Sequence, residues 1–399
     1  MRFIGAACAV ALAALCSGSA QAKPLSHRPE ARAANLPYGG GPVLHSNRTH
    51  LLFWQPRGSG LAYDPGYIAL IEHFLRNVAA ASHSTDNVYG LTGQYRDGRG
   101  PAAYASSYGG AVVATDPLPP NGCTEPTAIG PGWTVCLTDN QLAAEIEHTI
   151  TARHLPTGPT DVYFLVTPNE LGSCTDAGST SCALGGSVSG YCGYHSQTPD
   201  GLVLYAVIPY NAVPGHCQSN EPRPNGSTAD PTISTISHEH SELITDPEDD
   251  AWVDGAGNED GDLCRLDFGP VIGGSGATAW NENVGGGHYY LQEEWSNVDG
   301  GCEPRARPDA VSFNAVLSPR FSVRFTARAS DPRGRITAYR WFFGDGHGGR
   351  GRVVTHRYAH SGSYRVVVRV TDSWGNWASY AATETVATVA RGPAPAKSG

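Results

Sequence analysis

The chain has 399 residues, of which 40% are hydrophobic and 16% are charged, and its formal net charge is −10. These values exclude a disordered acidic protein, a coiled coil and a collagen-like fibre. The 49 glycines and 29 prolines favour a loop-rich fold over a helical bundle. The length predicts two domains, each large enough to bury a core of its own.

The first 22 residues have the pattern of a secretory signal peptide. Arg2 supplies a short positive segment, residues 3–16 form an apolar run, and Ala20-Gln21-Ala22 is a small-residue cleavage site. We therefore predict that residues 1–22 are removed and that the protein is secreted. No later segment approaches the ~18–20 apolar residues that a membrane-spanning helix needs, so no membrane span is predicted.

The cysteines outside the signal peptide all lie before residue 303. They are Cys123, Cys136, Cys174, Cys182, Cys192, Cys217, Cys264 and Cys302. An even number in an exported chain predicts up to four disulfides in one domain, although many pairings are formally open. Sequence-local pairs are favoured because each brackets one predicted loop: Cys123–Cys136, Cys174–Cys182, Cys192–Cys217 and Cys264–Cys302. A thiolate metal site is the alternative, but no C-x-x-C pair supports it.

Charge divides the chain at the same place as the cysteines. Residues 23–302 have a formal charge of −20, whereas residues 303–399 have +9. The predicted organisation is one domain at 23–302, a linker at 303–308, a second domain at 309–387 and a disordered tail at 388–399. A basic exported module favours anionic surfaces such as cell-wall polysaccharide, although arginine is also an ordinary surface residue. No basic helix or stacking motif accompanies the charge, so nucleic acid is not a predicted partner.

Short runs of alternating apolar and polar residues fill the C-terminal domain. With Gly-rich turns between them, they predict an antiparallel β-sandwich; the runs are Ser322–Arg328, Ala338–Phe343, Arg352–Tyr358, Ser363–Asp372 and Ala378–Val386. The segments WFFGDG (341–346), HRYAHSGSY (356–364) and VVVRVTDSWG (366–375) resemble those of PKD domains, which are Ig-like sandwiches attached to many secreted proteins. The resemblance implies that Trp341 and Tyr358 pack inside, that residues 344–346 form a turn, and that the domain is a non-catalytic spacer or binding module.

The larger domain combines apolar strands with amphipathic helices. Strands are predicted at Leu51–Trp54, Val113–Thr115, Asp161–Val166 and Leu202–Ile208, several of them too continuously apolar for surface strands. Helices are predicted at Tyr67–Ala80, which has a broad apolar face, and from Asp139 to about Ala152, after a Thr138-Asp139 cap. The pattern indicates a mixed α/β or α+β fold and does not decide between them.

A third predicted helix carries the residues with the most chemical promise. Asp230-Pro231 marks its start, and Asp246-Pro247 ends it because a residue before proline disfavours α geometry. Apolar residues and one histidine recur at helical spacing and predict the core side: Ile233, Ile236, His240, Leu243 and Ile244. His238, Glu239 and Glu242 lie on the other side, where we expect a cleft or solvent.

The sequence His238-Glu239-x-x-Glu242 is the zincin pattern with a carboxylate as the second ligand. Side chains four residues apart on a helix converge on one ion, and the glutamate after the histidine can activate a water molecule. We therefore predict His238 and Glu242 as zinc ligands and Glu239 as the catalytic residue. A solvated helix face without a metal is the alternative.

Downstream acidic residues are candidates for the third ligand. Glu248 has the spacing of metzincins, but Thr245 replaces the glycine that turns their chain. Glu259 and Asp262 have a spacing similar to that of gluzincins, and both are predicted metal residues. The acidic loop 246–262 could instead hold calcium through hard oxygen ligands, or it could be purely structural.

Two further histidines lie in Gly-rich segments that a cleft could use. His195 and His288 are second-tier candidates for a metal or oxyanion contact. The alternative for each is a loop histidine that is hydrogen-bonded to the backbone.

Several segments of the larger domain resemble the exordium-like, phosphate-induced-protein family. They are GPVLHSNRTHLLFW (41–54), YIALIEHFLRNVAAASHSTDNVYGLTGQY (67–95), YCGYHS (191–196), SHEHSELITDP with AWVDGAGNEDGDLC (237–264) and YYLQEEWSN (289–297). Members of that family are secreted, and microbial relatives keep the His-Glu-x-x-Glu pattern whereas the plant branch lacks a clear one. This chain departs from the pattern in having His240 inside the motif and Ile244 before Thr245. The resemblance implies export and a zincin-like, hydrolase-like site, and it leaves open a scaffold that only binds.

These observations predict a secreted zinc-dependent hydrolase that acts on peptide bonds and carries a PKD module. The competing hypotheses are a non-catalytic extracellular binding or signalling protein of the exordium type and a calcium-stabilised adhesive protein. The expected partners are an extracellular protein, a peptide or cell-wall polysaccharide. Bound zinc would favour the first hypothesis, calcium the third, and neither the second.

Overall fold

The computed structural model describes residues 35–84, 86–124, 133–185, 189–306, 309–331, 335–372 and 377–387. The predicted signal peptide and the predicted tail lie outside the described residues. The chain up to residue 306 is a mixed α/β region, and the chain from residue 309 is all β.

The α/β region contains fifteen strands and three α-helices among the described residues. In chain order they are β1 (Asn47–Trp54), α1 (Tyr67–Ala80), β2 (Arg96–Asp97), β3 (Gly100–Pro101), β4 (Ser106–Ala114), β5 (Val135–Thr138), α2 (Asp139–Arg153), β6 (Asp161–Val166), β7 (Leu171–Cys174), β8 (Ser181–Ala183), β9 (Ser189–Tyr191), β10 (Tyr194–Gln197), β11 (Leu204–Ile208), α3 (Ala229–Thr245), β12 (Glu282–Val284), β13 (Gly287–Tyr289), β14 (Glu294–Ser296) and β15 (Gly301–Glu303). Short 3-10 helices occupy Val88–Gln94, Asp262–Cys264 and Gly276–Thr278.

A five-stranded sheet in the order β10-β11-β6-β1-β4 forms the centre of this region. Strands β4, β1, β6 and β11 are parallel, and β10 joins the edge antiparallel to β11. Helices α1 and α3 pack on one face of the sheet and α2 packs on the other. Because both faces are covered, β6 and β11 are buried at every position, which explains their continuous apolar runs.

The helices follow the predicted patterns closely. Helix α1 has the predicted bounds and buries Ile71, Phe74, Leu75 and Val78 against the sheet. At the start of α2, the Thr138 N–H donates to Gln141 Oε1 (3.0 Å), as in a capping box. Three predicted strands differ from those observed: β1 begins four residues before Leu51, Val113–Thr115 only overlaps the end of the longer strand β4, and β11 begins after Leu202, which is 65% exposed.

Four disulfides link the eight cysteines of the α/β region, and the predicted sequence-local pairs are confirmed. They are Cys123–Cys136, Cys174–Cys182, Cys192–Cys217 and Cys264–Cys302. The first two lie against each other, with Cys136 Sγ 3.6 Å from Cys174 Sγ. Because the cysteines are paired as disulfides, they do not form the thiolate metal site that was the alternative.

The C-terminal region is the predicted antiparallel β-sandwich. Its strands are β16 (Asp309–Ser318), β17 (Ser322–Ser330), β18 (Ala338–Phe342), β19 (Gly348–Arg350), β20 (Val353–Arg357), β21 (Gly362–Thr371) and β22 (Trp377–Val386). They form one sheet in the order β16-β17-β20 and another in the order β19-β18-β21-β22. Strands β16 and β19 were not among the predicted runs.

The core of the sandwich has the predicted aromatic residues at its centre. Trp341 and Tyr358 are each 1% exposed and pack in one cluster with Phe325, Val366 and Val368. The polar ends of both rings are satisfied, because Trp341 Nε1 donates to the Gly351 carbonyl and Tyr358 Oη donates to the Phe343 carbonyl.

The turn that follows β18 is the one that the sequence predicted. Gly344 and Gly346 have φ values of 82° and 86°, a conformation that glycine adopts without strain.

None of the helices in the described ranges combines the length and apolarity that crossing a membrane requires.

Candidate metal centre

Helix α3 is buried on all sides, and every residue in it except His238 is buried. Ile233, Ile236, Leu243 and Ile244 lie in the core shared with α1 and the sheet, as predicted. Such a helix is unusual because it must also bury its polar face, and each charged group there needs a compensating partner.

His240 is the predicted core histidine. Its ring packs edge-on against Tyr89 and Phe164, and His240 Nε2 donates to Asn47 Oδ1 (2.9 Å). Burial lowers the pKa of His240 to about 3, so the ring is neutral at physiological pH. His240 therefore has a structural role and stays apart from the charged face of the helix.

The sequence predicted a cleft or solvent at the opposite face of α3, but backbone covers most of it and only His238 in this helix is partly exposed. Glu239 and Glu242 are each 3% exposed. A Cβ atom at Gly193 would lie 2.7 Å from Glu239 Oε1, and one at Gly261 would lie 2.7 Å from His238 Nδ1. Two glycine segments thus close directly over the charged side chains, which only residues without a side chain permit.

His238 and Glu242 converge as their spacing predicts. His238 Nε2 lies 3.2 Å from Glu242 Oε1 and 3.9 Å from Glu239 Oε1. The three side chains offer ligand atoms within 4.8 Å of one another, a separation that fits one shared ion.

The two predicted third ligands occupy different positions. Asp262 lies on the His238 side, with Asp262 Oδ1 3.8 Å from His238 Nε2 and the Asp262 N–H donating to Glu242 Oε1 (3.1 Å). Glu259 lies on the side of His195, and both of its carboxylate oxygens are 3.2 Å from His195 Nε2. Glu248 is exposed and belongs to neither of the possible ligand groups that contain Glu242.

His195, a second-tier candidate in the sequence, belongs to the cluster. It lies on the edge strand β10, is 5% exposed, and has Nε2 4.0 Å from Glu242 Oε2 and 3.8 Å from Asp249 Oδ1. The other second-tier candidate, His288, is exposed and stacks on Trp280 with ring centroids 3.9 Å apart. It takes no part in the cluster.

Negative charge dominates the cluster. Two imidazoles face five carboxylates, those of Glu239, Glu242, Asp249, Glu259 and Asp262. After burial, the main causes of the shifted pKa values of His195, His238 and Glu239 are neighbouring carboxylates and histidines. A buried carboxylate costs several kcal/mol unless it is paired, and the imidazole and carboxylate groups of the cluster are of the types that could hold a cation.

The pKa shifts express the same excess of negative charge. Burial raises the pKa of Glu239 to about 8, with His238 opposing and Glu242 adding to the rise. Burial lowers the pKa of His238, but Glu242 and Glu239 outweigh it and raise that pKa well above 6.5. In the absence of a cation, protons must therefore neutralise part of the cluster.

Two further buried carboxyl groups lie near the cluster, and the sequence analysis missed both. Asp260 accepts hydrogen bonds from Ser241 and Thr245, and burial raises its pKa to about 7. Burial raises the pKa of Glu294 well above 4.5, and neither of its carboxylate oxygens has a hydrogen-bond partner among the described residues. The segment YYLQEEWSN contains Glu294, but nothing in its pattern distinguishes a buried acid from an exposed one.

Gln292, also missed in the sequence, orients the His238 ring. Its amide nitrogen donates to the Gly261 carbonyl (2.7 Å) and to His238 Nδ1 (2.9 Å), while its oxygen accepts from the Leu266 N–H (3.2 Å). This arrangement places the proton of a neutral His238 on Nε2, toward Glu242. If Nε2 were to bind a cation, the proton of the neutral ring would have to be on Nδ1, and the Gln292 amide would have to turn so that its oxygen accepts from Nδ1.

A separate histidine–carboxylate group lies in the sandwich. His356 Nε2 is 2.7 Å from Asp345 Oδ2, and His347 Nδ1 is 3.4 Å from Asp345 Oδ1. The His356 ring also stacks on Phe343 with centroids 4.1 Å apart. Here two imidazoles contact a single carboxylate.

The family model of the PKD domain matches residues 305–388, which include all of β16 to β22. Residues 305–388 are a PKD domain. The match confirms the resemblance seen in the three C-terminal segments, and it assigns no activity to the α/β region.

Solved PKD domains are among the structures similar to this chain. The PKD1 domain of the Vibrio cholerae metalloprotease PrtV is 32% identical, covering 20% of this chain and 95% of that one, with a TM-score of 0.19. The PKD1 domain of Vibrio anguillarum Epp is 26% identical, covering 22% and 100%, with a TM-score of 0.20. The PKD domain of the human receptor SorCS2 is 22% identical, covering 30% and 100%, with a TM-score of 0.20.

Proposed function

We propose that the α/β region is a zinc-dependent hydrolase of peptide bonds with a zincin-like site. His238, Glu242 and Asp262 hold the ion, and Glu239 is the base. The observation that supports the proposal is the convergence of three carboxylates, those of Glu239, Glu242 and Asp262, on the Nε2 atom of His238.

The donor set favours zinc over calcium. An imidazole nitrogen beside carboxylate oxygens suits a borderline metal such as zinc, whereas calcium takes six to eight oxygen ligands. His238 Nε2 faces Glu242 and Asp262 directly, so a cation there has a nitrogen ligand. We therefore propose zinc as the cofactor and treat calcium as an outcome of the test.

Glu239 has the position of a proton acceptor. It is 3% exposed, lies against Gly193, and has an oxygen, Oε2, without a hydrogen-bond partner among the described residues. A bound zinc ion supplies Lewis-acid polarisation and lowers the pKa of water. The positive charge also favours the ionised form of Glu239, which can then take a proton from the attacking water and pass it to the leaving amine.

We further propose that the protein is secreted and that residues 23–302 and 309–387 are separate domains joined by a short linker. Four disulfides support an oxidising location, and the PKD domain supports an extracellular one. The PKD domain then serves as a spacer or as a binding module for protein or cell-wall polysaccharide. The exordium-like resemblance of the α/β region belongs to this proposal.

Glu239→Gln tests the catalytic role. The variant keeps the shape of the side chain, so zinc content should be unchanged while hydrolysis of casein and of a mixed fluorogenic peptide set falls by at least ~10²-fold. The matched control is Glu248→Gln, which alters an exposed glutamate near the end of the same helix and should change neither quantity.

Zinc analysis of His238→Ala tests the metal assignment, because loss of the imidazole should abolish binding at this position. If the wild-type protein contains zinc but Glu239→Gln hydrolyses every substrate at the wild-type rate, Glu239 is not the base. If the protein contains stoichiometric calcium and no zinc, the calcium-stabilised hypothesis replaces the hydrolase.

A further inference from the structure

We propose that the cluster binds two divalent cations and that Glu242 bridges them. The second cation is held by His195 and Glu259, with Asp249 closing the site. The inference builds on the proposed zinc site at His238, and it adds a metal position that no single-ion zincin pattern contains.

Glu242 has the geometry of a bridging carboxylate. Glu242 Oε1 lies 3.2 Å from His238 Nε2, whereas Glu242 Oε2 lies 4.0 Å from His195 Nε2. Each oxygen therefore faces a different histidine. Ions on the two sides of one carboxylate group lie about 3.5–4 Å apart in two-metal sites.

The residues around the bridge form two ligand groups that share only Glu242. His238, Glu239 and Glu242 form one, and His195, Glu242 and Glu259 form the other. In each group the ligand atoms lie within 4.8 Å of one another, and every member is at least largely buried. The third-ligand candidates divide in the same way, with Asp262 beside His238 and Glu259 beside His195.

His195 and Glu259 complete a second coordination set. Both oxygens of Glu259 lie 3.2 Å from His195 Nε2, so an ion at this nitrogen can be chelated by the whole carboxylate group. Asp249 Oδ1 approaches the same nitrogen at 3.8 Å, from a side chain that is 49% exposed. Asp249 is therefore the solvent-facing member of this set, beside two buried ones.

A bridged pair of ions would orient the substrate carbonyl on one ion and a nucleophilic water near the other. Glu239 lies in the His238 group, and the His195 group lies toward the half-exposed Asp249. The structure therefore assigns His238 to the catalytic ion and His195 to the ion that positions the substrate.

Metal stoichiometry of the full chain, with zinc supplied and excess removed by dialysis, tests this inference. Wild-type protein should contain two zinc ions per chain, and His195→Ala should contain one. Glu259→Gln should also contain one and serves as the second variant if His195→Ala fails to fold, as judged by circular dichroism. His288→Ala, which alters an exposed histidine outside the cluster, should retain two.

The outcomes separate the two proposals. One zinc in the wild type that survives His195→Ala overturns the second site and leaves the zinc hydrolase standing. One zinc that is lost in both His195→Ala and His238→Ala means a single ion shared by the two histidines, and it also overturns the bridge. No zinc in the wild type removes the proposed function itself.

Discussion

The α/β region and the PKD domain differ in where their charged side chains lie, in the interior or at the surface. Helix α3 presents its charged residues to the protein interior, beneath the glycines that cover them. The PKD domain keeps an apolar and aromatic core. Arg340 and Arg350 are exposed, and with the half-buried Arg369 they lie in a row across three strands of one sheet. Charge at the surface is hydrated and screened, so it needs no fixed partner. A charge in the interior does need a fixed partner.

The histidine–carboxylate group of the PKD domain and the cluster on α3 differ in their ratio of carboxylates to imidazoles. Asp345 in the PKD domain is paired with two imidazoles, and His347 beside it is exposed. The α3 cluster has more carboxylates than imidazoles and is closed over by backbone. Similar residue types therefore occur in different proportions: two imidazoles contact one carboxylate in the PKD domain, whereas carboxylates outnumber imidazoles in the α3 cluster, where we propose that cations bind.

Loss of the central aromatic ring of the PKD domain should have the largest effect on stability. Trp341→Ala should destabilise this domain by about 3–5 kcal/mol, because Trp341 is 1% exposed and fills the sandwich core. Denaturant unfolding followed by circular dichroism measures the change, and the metal content of the chain should not alter. Phe342→Ala is the control, since Phe342 is 50% exposed; equal losses in the two variants would contradict the core assignment.

Removal of a disulfide should affect only the α/β region. Replacing Cys264 and Cys302 with Ala opens a bridge with a sequence separation of 38 residues. The expected cost is about 3–4 kcal/mol, because the unfolded chain regains loop entropy. Differential scanning calorimetry of the full chain should show a lower transition for this region and an unchanged one for the PKD domain, which has no cysteine. A shift of both transitions would show that the two regions unfold as one unit.

Glu145 is a buried carboxyl group outside the α3 cluster. It is 8% exposed on helix α2, accepts a hydrogen bond from Thr149 Oγ1 (3.1 Å), and burial raises its pKa to about 7. Its contribution to stability is full below the unfolded pKa of about 4.5 and is lost as pH rises through about 7.

Glu145→Gln should therefore stabilise the protein by roughly 1–2 kcal/mol at pH 8 and leave it nearly unchanged at pH 4. Chemical unfolding at the two pH values measures the difference. Glu147→Gln, an exposed neighbour on the same helix, should show no such pH dependence. An equal effect of Glu145→Gln at both pH values would contradict the raised pKa.

The smallest effect on stability is expected from a substitution in the row of arginines of the PKD domain. Arg340 lies directly opposite Arg350 on one neighbouring strand and opposite Arg369 on the other. Like charges at such opposite positions repel each other. Arg340→Gln should raise the PKD transition by no more than about 1–2 °C at low salt, and the gain should vanish at 1 M salt, where the Debye length is about 3 Å. A gain that persists at high salt would exclude electrostatic repulsion as its cause.

The parts of the fold that the sequence predicted well are those governed by local patterns. Helix α1 and strand β6 have the predicted bounds because their apolar periodicity and flanking turns are local properties. Strand β16 was not predicted because Val316 is exposed and its neighbours are half-buried, which makes the alternation of apolar and polar residues unclear. The disulfide pairs were predictable because each closes a short local loop.

The candidate site was only half predictable. The spacing of His238 and Glu242 is set by one helix, so the convergence of these side chains follows from the sequence. Their burial, the approach of His195 from β10 and the role of Gln292 depend on how distant segments pack over α3. Those contacts span up to 64 residues for His195 and Glu259, and no local pattern encodes them.

The most direct test of the central claim is thermal unfolding of the full chain before and after removal of its metal. Protein treated with EDTA and dialysed should lose its zinc, and the transition of the α/β region should fall while that of the PKD domain stays in place. At zinc concentrations near 100 times the dissociation constant, the lost stabilisation should be about 2.7 kcal/mol per ion, and added zinc should restore it. A metal-free preparation that unfolds at the same temperature, with or without zinc, would contradict the claim that cations compensate the buried carboxylates of helix α3.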